Sequence, residues 1–150
     1  MSFKINVYSP DLTKQIELLK FYPEIAEKHF RPAMEVVVRG LGTFIETMIP
    51  VLSGKARAMF KTKVIGKGLN IQGRVGWWGQ GQPWYINIVE YGAKPHAIDS
   101  YAPGAGVFYS EHPGFAARGF MRTGYRENVG DTVTVLGLAA REVVKDLAVP

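Results

Sequence analysis

Two histidines and two acids, His96, Asp99, Glu111 and His112, flank a stretch rich in proline and glycine. Imidazole nitrogens and carboxylate oxygens are common ligands of divalent metals, and the four would converge if the stretch doubles back as a hairpin. Their spacing matches no ligand pattern, and Pro95 and Pro113 account for both flanks as turns. An enzyme holding a metal there is the weakest of the readings. His112 is expected to hydrogen-bond the backbone at the base of the stretch instead. Other chemistry finds less support. Ser53 sits in Leu-Ser-Gly, which is not a nucleophile elbow. Gly66-Lys67-Gly68 is too short for a phosphate loop, and Gly40-Leu41-Gly42 falls inside a helical pattern. No paired carboxylates stand out for acid–base work. The chain has no cysteine, which removes disulfides, thiolate nucleophiles and cysteine zinc sites together. No catalytic residue, metal or cofactor is expected, and the chain is not read as an enzyme.

What the residues do offer is charge. The formal net charge is +5, unevenly placed. The first 75 residues carry 12 lysines and arginines against 6 acids, and the last 75 carry 6 against 7. No acid occurs between Glu46 and Glu90, a span that holds Lys55, Arg57, Lys61, Lys63, Lys67 and Arg74. A one-sign stretch on a folded surface attracts anions. The anion could be a DNA backbone, contacted without sequence preference, or an acidic neighbouring protein. The plainer alternative is a solvated basic face.

Aromatic residues form the second concentration. Trp77, Trp78, Trp84 and Tyr85 surround one turn. Neighbouring strand residues point to opposite faces, so Trp77 and Trp78 cannot share a core. The outward one is expected to anchor another subunit, since tryptophan is enriched at interface hot spots. Phe108 and Tyr109 raise the same expectation, because an apolar arm needs burial somewhere.

These residues need elements to hold them. A chain of 150 residues, 47% hydrophobic and 12% aromatic, suits one folded domain. No apolar run is long enough to span a bilayer, and the start lacks the pattern of a signal peptide. Residues 3–8 alternate as a short strand, and Asp11 can cap a helix to about residue 21. From Pro23 an apolar repeat runs through Ala26, Phe30, Met34, Val37, Leu41, Phe44, Ile45 and Met48, an amphipathic helix ending before Pro50. Pro32 predicts a kink or break near Arg31. Gly40 and Gly42 weaken this helix or let a neighbour approach closely. Residues 58–65 and 69–78, joined at Gly66-Lys67-Gly68, read as a hairpin, and residues 84–91 as a third strand of an antiparallel meander. Residues 92–114 read as an extended arm, a long β-hairpin with its tip at residues 102–106. Two helical segments close the chain, parted near Gly130, with Asp131 as a cap. The fold class is α+β: a meander packed against a long helix and a C-terminal helix, with a hairpin-like arm.

Three motifs lie at junctions between these elements. They are Pro50-Val51-Leu52-Ser53-Gly54-Lys55-Ala56-Arg57, then Val89-Glu90-Tyr91-Gly92 with Lys94-Pro95-His96, then His112-Pro113-Gly114-Phe115-Ala116-Ala117-Arg118 with Phe120-Met121-Arg122. In type and order they resemble the landmarks of the neck, or tail-completion, family of long-tailed phages, over roughly residues 12–144. Gly119 and Thr123 depart from it, standing where that family often has proline.

The resemblance implies a structural virion protein, a subunit of a ring, commonly sixfold, between head portal and tail tube. Such a ring joins the finished tail to the filled head and lines a channel for the genome. Implied partners are copies of the chain itself, head-side connector proteins, the tail tube or its terminator, and passing DNA, with no membrane. Assembly would take place in the host cytoplasm and the product would reside in the virion. A tail terminator or other tail ring is the near alternative. A nucleic-acid-binding protein acting without a ring is the distant one.

Overall fold

The computed structural model describes residues 22–51, 54–102 and 106–148, with residues 99–102 and 106–110 described by their backbone alone. The strand and first helix expected in residues 3–21, and Ser53, lie outside the described residues.

Helix α1 spans Pro23–Met48. Proline occupies its first turn, where a missing N–H costs nothing, and Glu24 places negative charge at the positive end of the dipole. The helix is continuous through Pro32, so of the expected kink or break the break does not occur. A mid-helix proline costs about 3 kcal/mol. Val37, Val38, Leu41 and Ile45 beyond it are all buried, and each such side chain returns about 1.5–3 kcal/mol on burial. Packing of that stripe therefore decides the outcome. A short helix α2, Lys55–Ala58, follows.

Strands β1 (Lys61–Ile65) and β2 (Gln72–Gly76) form an antiparallel hairpin, with Lys63 opposite Arg74 and Thr62 opposite Val75. Its inner face lies on α1: a Cβ added at Gly42 would overlap Thr62, and one added at Gly73 would overlap Val38. The turn is tied to the same helix. Gly68 N–H donates to Glu27 Oε2 at 2.7 Å, and Arg31, bonded to Glu27 Oε1, also donates to the Gly66 carbonyl. The Gly68 amide first, and Arg31 second, hold the Glu27 carboxyl below its ordinary value.

Among the described residues the sheet has two strands. Trp84 to Tyr91 is not a third strand: Ile86–Tyr91 is helix α3. The apparent alternation and the β-branched Ile86, Ile88 and Val89 suggested a strand. The residues that are buried, however, are Ile86 and Glu90, four apart, which is the helical repeat. The arm is a hairpin as expected. Strand β3 (His96–Ala102) pairs antiparallel with β4 (Gly106–His112), from His96 opposite His112 to Ala102 opposite Gly106.

Helix α4 spans Phe120–Ala148 as one element, with no division at Gly130 and with Asp131 inside it rather than capping it. Gly130 meets open space, so it costs only the usual ~1 kcal/mol of helix propensity. Burial of Phe120, Met121, Leu136, Ala139, Ala140 and Val143 along one side carries the helix across it. Val133 and Val144 stand on the more exposed side of this helix.

Helices α1 and α4 pack closely along their length. They meet tightly where a Cβ on Gly124 would overlap Ile45 Cγ1. The main core joins Val38, Leu41, Ile45 and Ile49 to Val75, Trp77, Ile86, Phe120 and Met121. At the far end Asp146 Oδ2 lies 2.7 Å from His29 Nε2 and 2.9 Å from Lys28 Nζ. The α+β architecture, with a long helix, a C-terminal helix and an antiparallel sheet, is thus present.

Two expected outcomes test this packing. Gly124→Ala should destabilise by about 1–3 kcal/mol through overpacking, whereas Gly40→Ala, which meets open space, should stabilise by up to about 1 kcal/mol. Denaturant midpoints would separate them. Asp146 is held below its ordinary value of 3.8, chiefly by the His29 bond and then by Lys28. A lowered folded-state carboxyl contributes stability that is complete above the unfolded value and lost as pH falls through the folded one. Asp146→Asn should therefore lower stability above about pH 4 and flatten the acid limb below it, as read by thermal melts across pH 2–6.

Candidate functional site: a basic hairpin and a latched arm

The six cations of the acid-free stretch separate in space. Lys55 and Arg57 lie exposed on α2, where Arg57 Nη2 reaches the Ile49 carbonyl at 3.4 Å. Lys67, in the hairpin turn, stands near enough to Glu27 to help lower its carboxyl. Lys61, Lys63 and Arg74 share the outer face of β1–β2, since Thr62, Val64, Gly73 and Val75 take the inner one. Lys63 and Arg74 are direct cross-strand partners, an arrangement of like charges that destabilises a sheet. Among the described residues neither they nor Lys61 makes an ion pair. Lys63 Nζ lies 5.2 Å from the centre of the Trp78 ring, a cation–π contact worth about 0.5–1 kcal/mol at an exposed site.

The tryptophans divide as the alternation requires, with one assignment corrected. Trp77 is only 1% exposed and cannot be a surface anchor. It continues the inward phase of Val75, donates to the Ala56 carbonyl at 2.6 Å, and packs between Phe60 and Phe120 at 5.0 and 6.1 Å. Trp78 takes the outward phase beneath Lys63. Trp84 is 78% exposed, against the edge of a half-buried Tyr85. From the turn before α3 it lines up with Ile88 and Tyr91 on that helix, both substantially exposed. The side chains of Phe108 and Tyr109 lie outside the described residues, though their backbones sit in β4.

The second and third sequence motifs meet at Glu90. This carboxylate is 1% exposed. Its Oε2 accepts the Met121 N–H at 3.0 Å and its Oε1 the Arg122 N–H at 3.2 Å, so it caps the N-terminus of α4 from another helix. Arg122 Nε stands 3.7 Å from the same carboxylate, and its guanidinium lies over the Tyr91 ring. The backbone doubles the connection: Arg118 N–H donates to the Val89 carbonyl and Gly119 N–H to the Glu90 carbonyl, each at 3.1 Å. Gly119 has φ +57°, which proline cannot adopt, and proline would also lack the N–H. Proline could not replace glycine here without losing that bond. Gly92, at φ +79°, lies so close to Phe115 and Ala117 that no side chain fits there.

From this junction the arm leaves the body. Ala93 and Phe115 exchange backbone hydrogen bonds at 3.0 and 2.9 Å. His96 and His112 then stack at 5.1 Å. Gly114 N–H donates to His112 Nδ1 at 3.0 Å, the backbone bond expected of this residue. That ring proton is thereby placed on Nε2, which presents a donor and not a metal-binding lone pair. His96 Nδ1 lies 2.9 Å from the Lys94 carbonyl. Among the described residues no three metal-capable side chains cluster, and no helix is long and apolar enough to cross a membrane.

Sequence reasoning had Glu90 inside a motif but missed its role. The available signal was a lone acid, the first after Glu46, set between apolar neighbours. Comparison with protein-family models, with curated proteins and with solved structures yields no match in any of the three. Glu90→Ala should leave two amides at the α4 terminus without their acceptor and cost about 2–3 kcal/mol. Glu90→Gln, which keeps an acceptor oxygen, should cost less. Thermal melts together with amide exchange in residues 120–123 would register both.

Proposed function

We propose that this chain is a structural virion protein that forms a ring at the head–tail junction of a long-tailed phage, joining the tail to the filled head and leaving a passage for DNA. One observation carries the reading. The three motifs that resemble the family's landmarks, far apart in sequence, are linked in space. Ala56 of the first receives the Trp77 indole N–H, Trp77 packs on Phe120 of the third, and the third is capped by Glu90 of the second. The arm leads away from that shared junction and, among the described residues, makes only marginal contact with the other helices and strands. An element so placed is suited to reach a neighbour. Copies of the chain, a head-side connector ring and the tail tube or its terminator are the partners this reading requires. A tail-terminator ring would use the same features.

A second reading, a nucleic-acid-binding protein that works without a ring, draws support from the opposed Lys63 and Arg74. The two differ in mass and in salt dependence. A ring subunit should sediment as a closed oligomer at micromolar concentration, and particles made without it should be filled heads beside unattached tails. A strictly monomeric chain that joins no particle and binds duplex DNA with a steep loss of affinity in salt would overturn the ring and favour the second reading.

A further inference from the structure

We infer that the β3–β4 arm of one copy docks against the basic outer face and open edge of the β1–β2 hairpin in the next copy. Each chain then gives an arm on one side and receives one on the other. The inference rests on the proposed ring and names the surfaces that close it.

The arm needs a partner on physical grounds. Its strands are seven residues long, and among the described residues each pairs only with the other, leaving one open edge apiece. A lone two-stranded hairpin is at best marginally stable in water, and open edges are templates for a further strand. Residues 96–112 contain Asp99 and Glu111 and no lysine or arginine. The arm is thus acidic as well as unpaired.

The β1–β2 hairpin has the complementary needs. Among the described residues it too is two-stranded, with its inner face taken by α1. Its outer face sets Lys63 directly against Arg74 beside Lys61, a repulsion that no described acid relieves. An acidic strand laid along this edge would relieve that repulsion and merge two short sheets into one of four strands. Donor and acceptor are different surfaces of the same chain, so the contact is heterologous and propagates head to tail until rotation closes a ring. Charge complementarity then fixes which surface meets which.

The test uses the full chain, with mass followed by sedimentation over a concentration series and a duplex DNA probe followed in parallel. Lys61→Glu with Lys63→Glu, and separately Asp99→Lys with Glu111→Lys, should each weaken association by about tenfold to a hundredfold, with circular dichroism unchanged. The chain carrying all four substitutions, with the charges exchanged, should recover most of the lost association. Charge-reversed pairs that assemble like the parent chain, or a fourfold variant no better than the pairs, would overturn the inference while leaving the ring standing. Loss of DNA binding in the lysine variant with assembly intact would give the face to nucleic acid and overturn it equally. A parent chain that is monomeric throughout would remove the ring and the inference together.

Discussion

The buried carboxylate of Glu90 is the contact on which the described structure turns. A helix begins with amides that have no partner of their own, and a long helix concentrates positive potential there. Phe120 and Met121 at the start of α4 are core residues, so this terminus lies at the inner end of the packing and not out in water. It needs an anionic acceptor that is itself buried, and Glu90 supplies one from 31 residues away. Helix α3 presents that side chain: Ile86 and Glu90 turn inward and Val89 packs partly against the core, while Asn87, Ile88 and Tyr91 are left exposed. The arm springs from the two chain segments that this contact draws together.

Around the cap, the body is built by close approach between elements that leave little room for side chains. Gly42 and Gly73 let α1 and the hairpin touch, and Gly124 lets α4 lie against Ile45. Trp77 fills the remaining space, held by a hydrogen bond to Ala56 and by two aromatic neighbours. Glu27 and Arg31 fasten the hairpin turn, and Asp146 fastens the far end of the helix pair. These polar contacts between elements thus sit near element ends, where backbone groups would otherwise lack partners.

Much of this was legible in the residues alone, wherever a local rule decided. The Gly66-Lys67-Gly68 turn, the apolar repeat of α1 and the extent of the arm followed from spacing and turn chemistry. Local rules failed where tertiary contact outweighed them. Pro32 and Gly130 are helix breakers on any propensity scale, yet the buried stripes beyond each carry the helix through. Ile86, Ile88 and Val89 favour a strand, yet the demand for Glu90 at the start of α4 fixes a helix. The division of Trp77 from Trp78 was visible, but not which was inside, because that depends on the phase set by Val75 against α1. As for the candidate site, the cations were plain in the sequence, while the pairing of Lys63 with Arg74 appears only once the register is fixed.

The arm also behaves as a lever. Seven residues at about 3.3 Å each make it roughly 23 Å long, whereas its footing is a single pair of backbone bonds between Ala93 and Phe115 beside the Glu90 cap. With that ratio of reach to base, a tilt of about 10° at the footing would swing the far end by about 4 Å, close to the spacing between neighbouring strands. Whatever the tip meets, its position is governed by the precision of a few atoms at the root, which is reason enough for those atoms to be doubly bonded and closed to side chains.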